Sequence, residues 1–331
     1  MFDLDLDSAA SWIKKRGYRS VAVQLPEGLK MDALGISDFL SRSGEVAVTV
    51  LGDPCYGACD LFSDYRRHAD ALVHFGHSPI DSQESDEDIF FVEVRAEPED
   101  IEKHVAVASR DLPHRIGLLA TVQYVGLIPK VKKALETNGK KVFIGTGDSR
   151  IFHPGQVLGC NFSAAESVNG EVDAFLYLGE GDFHPLAAAF GTEKDIAVLN
   201  PLTGEIRCVK DARDRMLRKR FAAIESAKGA ESFLVIVCTK AGQDRSAQAD
   251  ALIGEIRVRG KKAYKLLMNE VGPDALLPYD VDAYISTACP RIAMDDSARY
   301  PKPMLTVTEA EIVLGLRDWE KYEFDSITPV R

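Results

Sequence analysis

Short apolar runs recur along the chain in three groups, and each group has the same internal order. An apolar run is followed by a helix-like stretch, a second run, a loop, a third run, another helix-like stretch and a fourth run. The first runs are SVAVQL from Ser20, RIGLLA from Arg115 and FLVIVC from Phe233; the last are IFFVEV from Ile89, IAVLN from Ile196 and MLTVT from Met304. Near-continuous apolar strands that alternate with helices are typical of parallel sheets covered on both faces. The pattern therefore predicts three α/β units.

Two short sequence echoes mark matching positions in the three units. A glycine ends the helix-like stretch before the second strand, in Ser43-Gly44-Glu45-Val46, Asn138-Gly139-Lys140-Lys141-Val142 and Arg259-Gly260-Lys261-Lys262-Ala263. An aspartate precedes the third strand, in Ala69-Asp70-Ala71-Leu72, Val172-Asp173-Ala174-Phe175 and Val281-Asp282-Ala283-Tyr284. Asp173 follows Asp70 by 103 residues, and Asp282 follows Asp173 by 109. A glycine echo alone can arise by chance in any α/β protein, but four elements in preserved order favour an internal repeat.

The repeat divides the chain into three domains of about 105–115 residues, which is an ordinary domain size. We place them at residues 1–107, 108–210 and 211–331, with connections near Pro98–Pro113 and Arg207–Ser232. Length alone, at about 150 residues per domain, would favour two domains for 331 residues. The predicted fold class is α/β, with three similar domains, each a small parallel sheet flanked by helices, arranged around a central site.

Composition and charge narrow the class of protein. Asp and Glu number 51 against 40 Lys and Arg, and the net charge of −11 argues against a nucleic-acid partner. The longest uncharged stretch near the middle, Ile116–Pro129, is shorter than the ~18 residues of a membrane span. The N-terminus has no basic start followed by an apolar run, so we expect no secretory signal and a cytoplasmic protein. Six cysteines are too sparse for a disulfide scaffold, and reduced thiols are potential metal ligands.

Four of the cysteines lie just beyond predicted strand ends. Cys55 and Cys59 follow the second strand of the first unit in VLGDPCYGACD. Cys160 follows the second strand of the second unit in HPGQVLGCNFSAAE, and Cys289 follows the third strand of the third unit in YISTACPR. Parallel sheets bind their ligands in the crevice beyond these ends. Three such ends that face one axis would present three thiolates to one point.

The residues leave the identity of the metal open. Three thiolates suit a tetrahedral zinc ion with a fourth protein ligand or water, and they also suit a [4Fe–4S] cluster with one open iron. Cys55 is either a metal ligand, a thiol with no role at the metal, or a thiol that contacts the ligands. The spacing only slightly favours Cys59 over Cys55 as the metal ligand. We expect Cys238, inside its apolar strand, to pack in the core. We expect Cys208, at the start of a charged helix, to be incidental.

Further polar side chains follow predicted strands. Glu27 in QLPEGL, Gln123 in ATVQYV and Gln243 in TKAGQ occupy matching places after the first strands, where each either faces the crevice or serves as a cap or turn residue. His74 and His77 form HFGH at a strand end and are a candidate metal pair. For each histidine taken alone, a hydrogen-bonded structural role is favoured. The sequence has no P-loop, Ser–His–Asp or HExxH pattern.

Five motifs, taken in order, resemble one known family. LPEGL, GDPCYGACD, LGCNFSA, TKAGQ and STACPR resemble the archaeal enzymes of the first step of diphthamide synthesis, the 2-(3-amino-3-carboxypropyl)histidine synthases. The similarity runs from Ser20 to Asp296 and spans all three units. Each motif alone is weakly specific, but the combination is specific, and none of the three expected cysteines departs from the pattern.

The resemblance implies three similar α/β domains, a homodimer and one [4Fe–4S] cluster per chain, held by one cysteine from each domain: Cys59, Cys160 and Cys289. S-adenosylmethionine would bind at the open iron. The reduced cluster would cleave its sulfur–Cγ bond and release methylthioadenosine, whereas the usual radical enzymes break the bond to the adenosyl carbon. The 3-amino-3-carboxypropyl group would be attached to an imidazole carbon of a histidine on translation elongation factor 2, and an electron donor is needed. We place three side chains in the pocket for S-adenosylmethionine: Glu27, Gln123 and Gln243.

Two other interpretations stay open from the sequence. A three-domain [4Fe–4S] dehydratase of the quinolinate synthase type also uses one cysteine per domain around an open iron, but its substrates are small and it needs no protein acceptor. A non-catalytic zinc- or cluster-binding subunit would sense metal or pair with a catalytic chain. The motifs favour the diphthamide family over the dehydratase, and the presence of all three cysteines favours an active homodimer over the non-catalytic subunit.

Overall fold

The computed structural model describes residues 2–81 and 83–329 and contains three sheets that follow one another along the chain. The elements of the first part are helix α1 Leu6–Arg16, strand β1 Ser20–Gln24, helix α2 Ala33–Gly44 and strands β2 Ala47–Val50, β3 Ala71–Phe75 and β4 Ile89–Val92. The strands form a parallel sheet in the order β2-β1-β3-β4.

The second part adds an antiparallel edge strand to the same arrangement. Its elements are α3 Ile101–Ala108, β5 Arg115–Ala120, α4 Ile128–Thr137, β6 Lys141–Phe143, α5 Ser163–Glu166, β7 Ala174–Leu178, α6 Phe183–Thr192, β8 Ile196–Leu199 and β9 Ile206–Cys208. The sheet order is β6-β5-β7-β8-β9. All pairs are parallel except that of β8 with β9.

The third part repeats the order of the first. Its elements are α7 Lys210–Ala227, β10 Ser232–Cys238, α8 Ser246–Val258, β11 Lys262–Met268, α9 Pro273–Leu276, β12 Ala283–Ser286, α10 Arg291–Met294, β13 Met304–Leu305 and α11 Val307–Val313. The strands pair in parallel in the order β11-β10-β12-β13. The predicted α/β class, with three small and mainly parallel sheets flanked by helices, is confirmed.

Two connections differ from the predicted pattern. In the described part of the connection between β3 and β4, residues 76–81 and 83–88, the one helical element is a 3-10 turn, Gln83–Ser85, where the pattern predicted a helix. Pro79 and the serine and acidic residues of this segment favour turns over helix. In the second sheet, Cys208 is the last residue of β9, and the charged helix α7 begins only at Lys210. The placement of Cys208 at the start of that helix is therefore wrong.

Apolar side chains cover each sheet on both faces, which explains why the strands are almost continuously apolar. Alternate residues of β7 serve opposite faces, because Leu176 packs in the cluster of α3 and α4 whereas Phe175 packs in the cluster of α6. Helix α3 buries Ile101 and Val105 in the core of the second sheet. The boundary expected at residue 107 falls inside this helix, and we propose that the second domain begins before Ile101.

The repeated aspartate fixes the amino end of the first strand in every sheet. Asp70 and Asp282 each accept two backbone N–H hydrogen bonds of 2.9–3.0 Å, and Asp173 accepts one of 3.1 Å. The donors lie at or next to the start of the first strands: Arg19, Ser20, Arg115, Glu231 and Ser232. Hydrogen bonds from these residues lower the pKa of all three carboxylates below the ordinary value of 3.8.

The glycine that recurs before the second strand of each unit has two different structural roles. Gly139 and Gly260 follow α4 and α8 with φ of +77° and +76°, the left-handed conformation that glycine favours after a helix. In the first sheet α2 includes Gly44, and Glu45 takes the left-handed conformation with φ of +54°. Gly44 instead allows close packing, since an added Cβ would lie 3.4 Å from Ile13 of α1. The prediction of a helix-ending glycine is right for two units and wrong for the first.

A buried ion pair holds helix α7 against the third sheet. Arg220 and Glu309 are both fully buried, with 2.5 Å between the guanidinium and the carboxylate. Arg220 also donates to the backbone carbonyls of Ala293 and Met304. These contacts satisfy a charge that would otherwise be costly to bury. The helices in the described part of the chain, α7 included, are too short or too polar to span a bilayer.

Candidate metal centre

The carboxyl ends of the three sheets surround one cavity of about 520 Å³. Four cysteines line it: Cys59 from the first sheet, Cys160 from the second, and Cys238 and Cys289 from the third. Cys59 lies in a 3-10 turn after β2, Cys160 lies between β6 and α5, and Cys289 lies between β12 and α10. Ligand sites of parallel sheets occur in this crevice. The three sheets are therefore arranged around one site.

The three thiols influence one another across the cavity. Burial raises the pKa of Cys59 to about 12 and also raises the pKa of Cys289, and the neighbouring Cys160 adds to both shifts. Burial raises the pKa of Cys160 as well, although the charge of Arg150 opposes that rise. In the protein alone the thiols therefore keep their protons, which a bound metal group would displace.

The spacing of these cysteines distinguishes between two kinds of metal group. A single metal ion needs ligand atoms that lie close together. In residues 2–81 and 83–329, one group of three or more His, Cys, Asp or Glu side chains has all its ligand atoms within 4.8 Å of one another. Cys59, Cys160 and Cys289 are not in that group. Two Zn–S bonds of about 2.3 Å span at most about 4.6 Å. At least two of the three sulfurs are thus farther apart than the ligands of one zinc ion, and the donor set fits a [4Fe–4S] cluster held by three cysteines.

Gln243 connects two of the cavity cysteines. Its Nε2 donates to Sγ of Cys59 at 3.3 Å, and its Oε1 accepts from the backbone N–H of Cys289 at 3.2 Å. The preceding Gly242 donates its N–H to the Cys59 carbonyl at 3.1 Å, and a Cβ there would lie 2.5 Å from Cα of Cys59. Gln243 lines the cavity as predicted from its strand end, but both ends of its amide hold the cysteine loops.

Arg150 is a buried cavity residue that the sequence analysis did not select. Its guanidinium donates to Asp81 of the first sheet at 2.8 Å and to the Gly242 carbonyl of the third at 3.1 Å. Its Nε is buried and has no hydrogen-bond partner among the described residues. An unpartnered buried donor beside Cys160 fits an anionic group in the cavity, such as the thiolates and sulfides of a cluster.

The last described segment supports the loops of two cysteines. The N–H of Ile327 donates to the Cys160 carbonyl at 2.8 Å. Arg245 forms a bidentate pair with Asp325, at 2.7 and 2.8 Å. The same guanidinium donates to the carbonyls of Thr287 and Ala288, directly before Cys289. Residues 324–327 therefore pack behind the cavity and link its second and third walls.

The other two predicted pocket residues lie in different surroundings. Gln123 lines the cavity and donates its Nε2 to the carbonyl of Gly76 at 2.8 Å. Glu27 does not line the cavity; its side chain is 57% exposed and pairs with Lys30 at 2.6 Å. The physical reason is the turn after each strand, because Glu27 is the first residue of its 3-10 helix and Gln123 is the second. A shift of one residue in a 3-10 helix turns the side chain by about 120°.

Positive side chains line the wall that the third sheet contributes. Burial alone would lower the pKa of Lys240, but hydrogen bonds to Asp60 at 2.8 Å and Glu270 at 2.5 Å raise it. Arg291 and Arg299 border the same cavity. Guanidinium groups bind carboxylates with two parallel hydrogen bonds. Arg291 pairs with Asp295 at 2.8 Å and Arg299 pairs with Asp296 at 3.3 Å, so this wall carries both signs of charge, and a ligand carboxylate would share these guanidinium groups with the aspartates.

The remaining predicted residues also have definite places. Cys238 is the last residue of β10 and is buried, with Sγ 3.4 Å from the Asn269 carbonyl, and it borders the cavity. His77 lines the cavity, whereas His74 lies behind it on β3.

Comparison with known proteins places this arrangement in a family. The family described as "Putative diphthamide synthesis protein" matches residues 25–324, a span that includes the three cavity cysteines and every strand except β1. The chain belongs to the diphthamide synthesis family. The resemblance inferred from the motifs is confirmed, and it favours this family over the dehydratase alternative.

Named members of the diphthamide synthesis family match nearly the whole chain. The 2-(3-amino-3-carboxypropyl)histidine synthase of Pyrococcus horikoshii is 38% identical over 95% of this chain and 91% of its own length. Subunit 1 of the synthase from Schizosaccharomyces pombe is 31% identical, with 98% of this chain and 76% of the relative covered. The crystal structure of Dph2 from Pyrococcus horikoshii with a 4Fe-4S cluster matches with a TM-score of 0.89 and 34% identity, over 99% of this chain and 95% of that chain.

Proposed function

We propose that the protein is a 2-(3-amino-3-carboxypropyl)histidine synthase, a transferase of the first step of diphthamide synthesis. It transfers the 3-amino-3-carboxypropyl group of S-adenosylmethionine to an imidazole carbon of a histidine on translation elongation factor 2. The observation that carries the proposal is the cavity that Cys59, Cys160 and Cys289 line from three different sheets, in a chain whose named relatives are such synthases.

Cys59, Cys160 and Cys289 are the residues that would hold a [4Fe–4S] cluster, and three ligands leave one iron open for S-adenosylmethionine. When bound and reduced, the cluster supplies the electron that breaks the sulfur–Cγ bond, with methylthioadenosine as the leaving product. Gln243 and Gly242 hold the Cys59 and Cys289 loops at a fixed separation. This arrangement orients the reacting bond, which is what selects one of three sulfur–carbon bonds.

Other side chains of the cavity bind the substrate and exclude water. Arg291 and Arg299 provide guanidinium groups for the carboxylate of the methionine moiety. Gln123, which is half-buried on the opposite wall, offers its amide to the same ligand. Glu27 has no part in this pocket, because its carboxylate is exposed and paired with Lys30.

The proposal also requires partners. The protein substrate docks around the cavity mouth, and an electron donor reduces the cluster. We propose a cytoplasmic homodimer, on the basis of the family resemblance, and neither nucleic acid nor membrane as a partner, since the net charge is −11.

The test is anaerobic incubation of cluster-loaded protein with dithionite, S-adenosylmethionine and elongation factor 2. We expect methylthioadenosine in the small-molecule fraction and a mass gain of one 3-amino-3-carboxypropyl group on a single histidine. The Cys289→Ala variant is the control and should form neither. 5′-Deoxyadenosine as the dominant nucleoside would refute the proposed bond choice, and an unmodified factor would refute the substrate.

A further inference from the structure

We propose that Cys55, His74 and His77 form a second metal site, for a single divalent ion of the zinc type, beside the three-cysteine cavity that His77 also lines. Their sulfur and ring nitrogen atoms all lie within 4.8 Å of one another, the one such group in residues 2–81 and 83–329. A thiolate and two imidazoles are a donor set that suits zinc. The proposal goes beyond the synthase function and does not depend on it.

The two histidines present their nitrogens to the same point. His74 is the fourth residue of β3, and His77 follows the end of that strand. Nε2 of His74 and Nδ1 of His77 are 3.0 Å apart. Two nitrogens at this separation can bind one ion at about 2.0–2.1 Å, with an angle near 95° at the metal. Cys55 approaches from the loop after β2 and is 2% exposed.

Gln24 fixes the protonation of the His74 ring. Its Nε2 donates to the Asp60 carbonyl at 2.7 Å, so its Oε1 faces the other way and accepts from the N–H of Phe62 at 3.2 Å. The same Oε1 lies 2.9 Å from Nδ1 of His74, which must therefore carry the proton. This leaves the lone pair on Nε2, the atom that lies 3.0 Å from Nδ1 of His77. Metal-binding histidines commonly donate their second ring N–H to an oxygen in this way.

Burial keeps both rings neutral, and it raises the pKa of the Cys55 thiol to about 12, so a bound ion would have to displace the proton of Cys55. Burial lowers the pKa of His77 to about 4 and that of His74 well below the ordinary value. Neutral imidazole is the form that binds metals. Without an ion, a single proton shared by the two rings makes the same 3.0 Å contact, so the experiment must measure the metal itself.

The second site shares a loop with the first. Cys55 and Cys59 lie four residues apart, and Cys59 lines the cavity whereas Cys55 does not. An ion on Cys55 would anchor this loop to β3 through His74. The three protein ligands leave a fourth position for water, as in open zinc sites.

The test uses cluster-loaded protein that has been incubated with zinc chloride and desalted, with zinc and iron measured on the same sample. We expect about one tightly bound zinc ion per chain, with X-ray absorption showing one sulfur at about 2.3 Å and two nitrogens at about 2.0–2.1 Å. Cys55→Ser and His74→Gln should each lose this zinc, and Cys55→Ser should keep its iron. Cys238→Ser is the matched buried control and should keep both metals.

The outcomes separate this proposal from the proposed function. Zinc binding needs neither S-adenosylmethionine nor the elongation factor, and repeating it with Cys160→Ala tests it without the cluster. Circular dichroism identifies any variant that has lost its fold, and Cys55→Ala then replaces that variant. Absence of zinc from the wild-type protein, retention of zinc by Cys55→Ser, or a zinc ion with three sulfur neighbours would each overturn the second site.

Discussion

Residues in matching positions make the same contacts at the amino ends of the three sheets but different contacts at the carboxyl ends. At the amino ends, Asp70, Asp173 and Asp282 make the same contact, each with the backbone at the start of a first strand. At the carboxyl ends, residues in matching sequence positions make three different contacts. Gln123 bonds to a neighbouring sheet, Gln243 bridges two cysteines and Glu27 pairs at the surface.

The difference follows from what each end must do. Every sheet has to fix its own first strand, so the solution repeats with the unit. The three sheets share one cavity, and a ligand in that cavity has no threefold symmetry. Each sheet therefore contributes different side chains to the cavity wall. Repetition at one end of a domain and divergence at the other therefore separate structural residues from candidate functional ones.

The largest expected effect comes from breaking the shared site. Cys59→Ala, Cys160→Ala and Cys289→Ala each remove one of three ligands, so iron after anaerobic reconstitution should fall from about four per chain to almost none. The broad visible absorbance band of the cluster should disappear with it. Cys208→Ala and Cys238→Ala are matched controls and should retain both. A Cys238→Ala protein that loses as much iron as Cys59→Ala would contradict the assignment of ligands.

A smaller effect is expected at Arg150, which connects all three walls of the cavity. Its positive charge stabilises the reduced form of a cluster, so Arg150→Gln should lower the reduction potential. A hydrogen bond to a charged group contributes about 1.5–3 kcal/mol, and about 59 mV corresponds to a tenfold change for one electron. We therefore expect the reduction potential to fall by at most about 65–130 mV in a redox titration followed by electron paramagnetic resonance.

The conservative variant distinguishes charge from architecture at this position. Arg150→Lys keeps the charge and loses the fork that reaches both Asp81 and Gly242. The reduction potential of the Arg150→Lys protein should stay close to that of the wild type. The iron content of each variant shows whether the cluster has been incorporated. Equal potentials in the Gln variant and the wild type would show that Arg150 only links the walls.

The smallest expected effect is at the amino ends. The folded-state pKa of each repeated aspartate is below 3.8, so its contribution to stability is complete above that pH and is lost as the pH falls through the lower folded value. A triple Asp→Asn variant should unfold at a lower urea concentration than the wild type at pH 7, because all three carboxylates are charged there. The difference in the urea concentration of unfolding between the wild type and the variant should become smaller below pH 3.8. A difference that is constant with pH would mean that the carboxylate charge contributes nothing.

The sequence was most informative where the physical signal is local. The alternation of apolar runs predicted the strands, and strand ends predicted that Gln123 and Gln243 would border one crevice. Arg150 was missed because its partners Asp81 and Gly242 are 69 and 92 residues away in the chain. Glu27 was misplaced because a one-residue shift in a turn has no signature in composition. Strand β9 has three residues, too few for a period to be visible.

Residues 324–327, which pack behind the cavity, determine when the cavity is completed during translation of the chain. Domains fold as units, amino-terminal first, while the chain is being made. Cys160 is supported by Ile327, and the loop of Cys289 is linked through Arg245 to Asp325, so the cavity acquires its complete wall only after the ribosome has passed residue 327. The first two sheets can form much earlier. We therefore expect iron to be inserted only after residues 324–327 have packed behind the cavity.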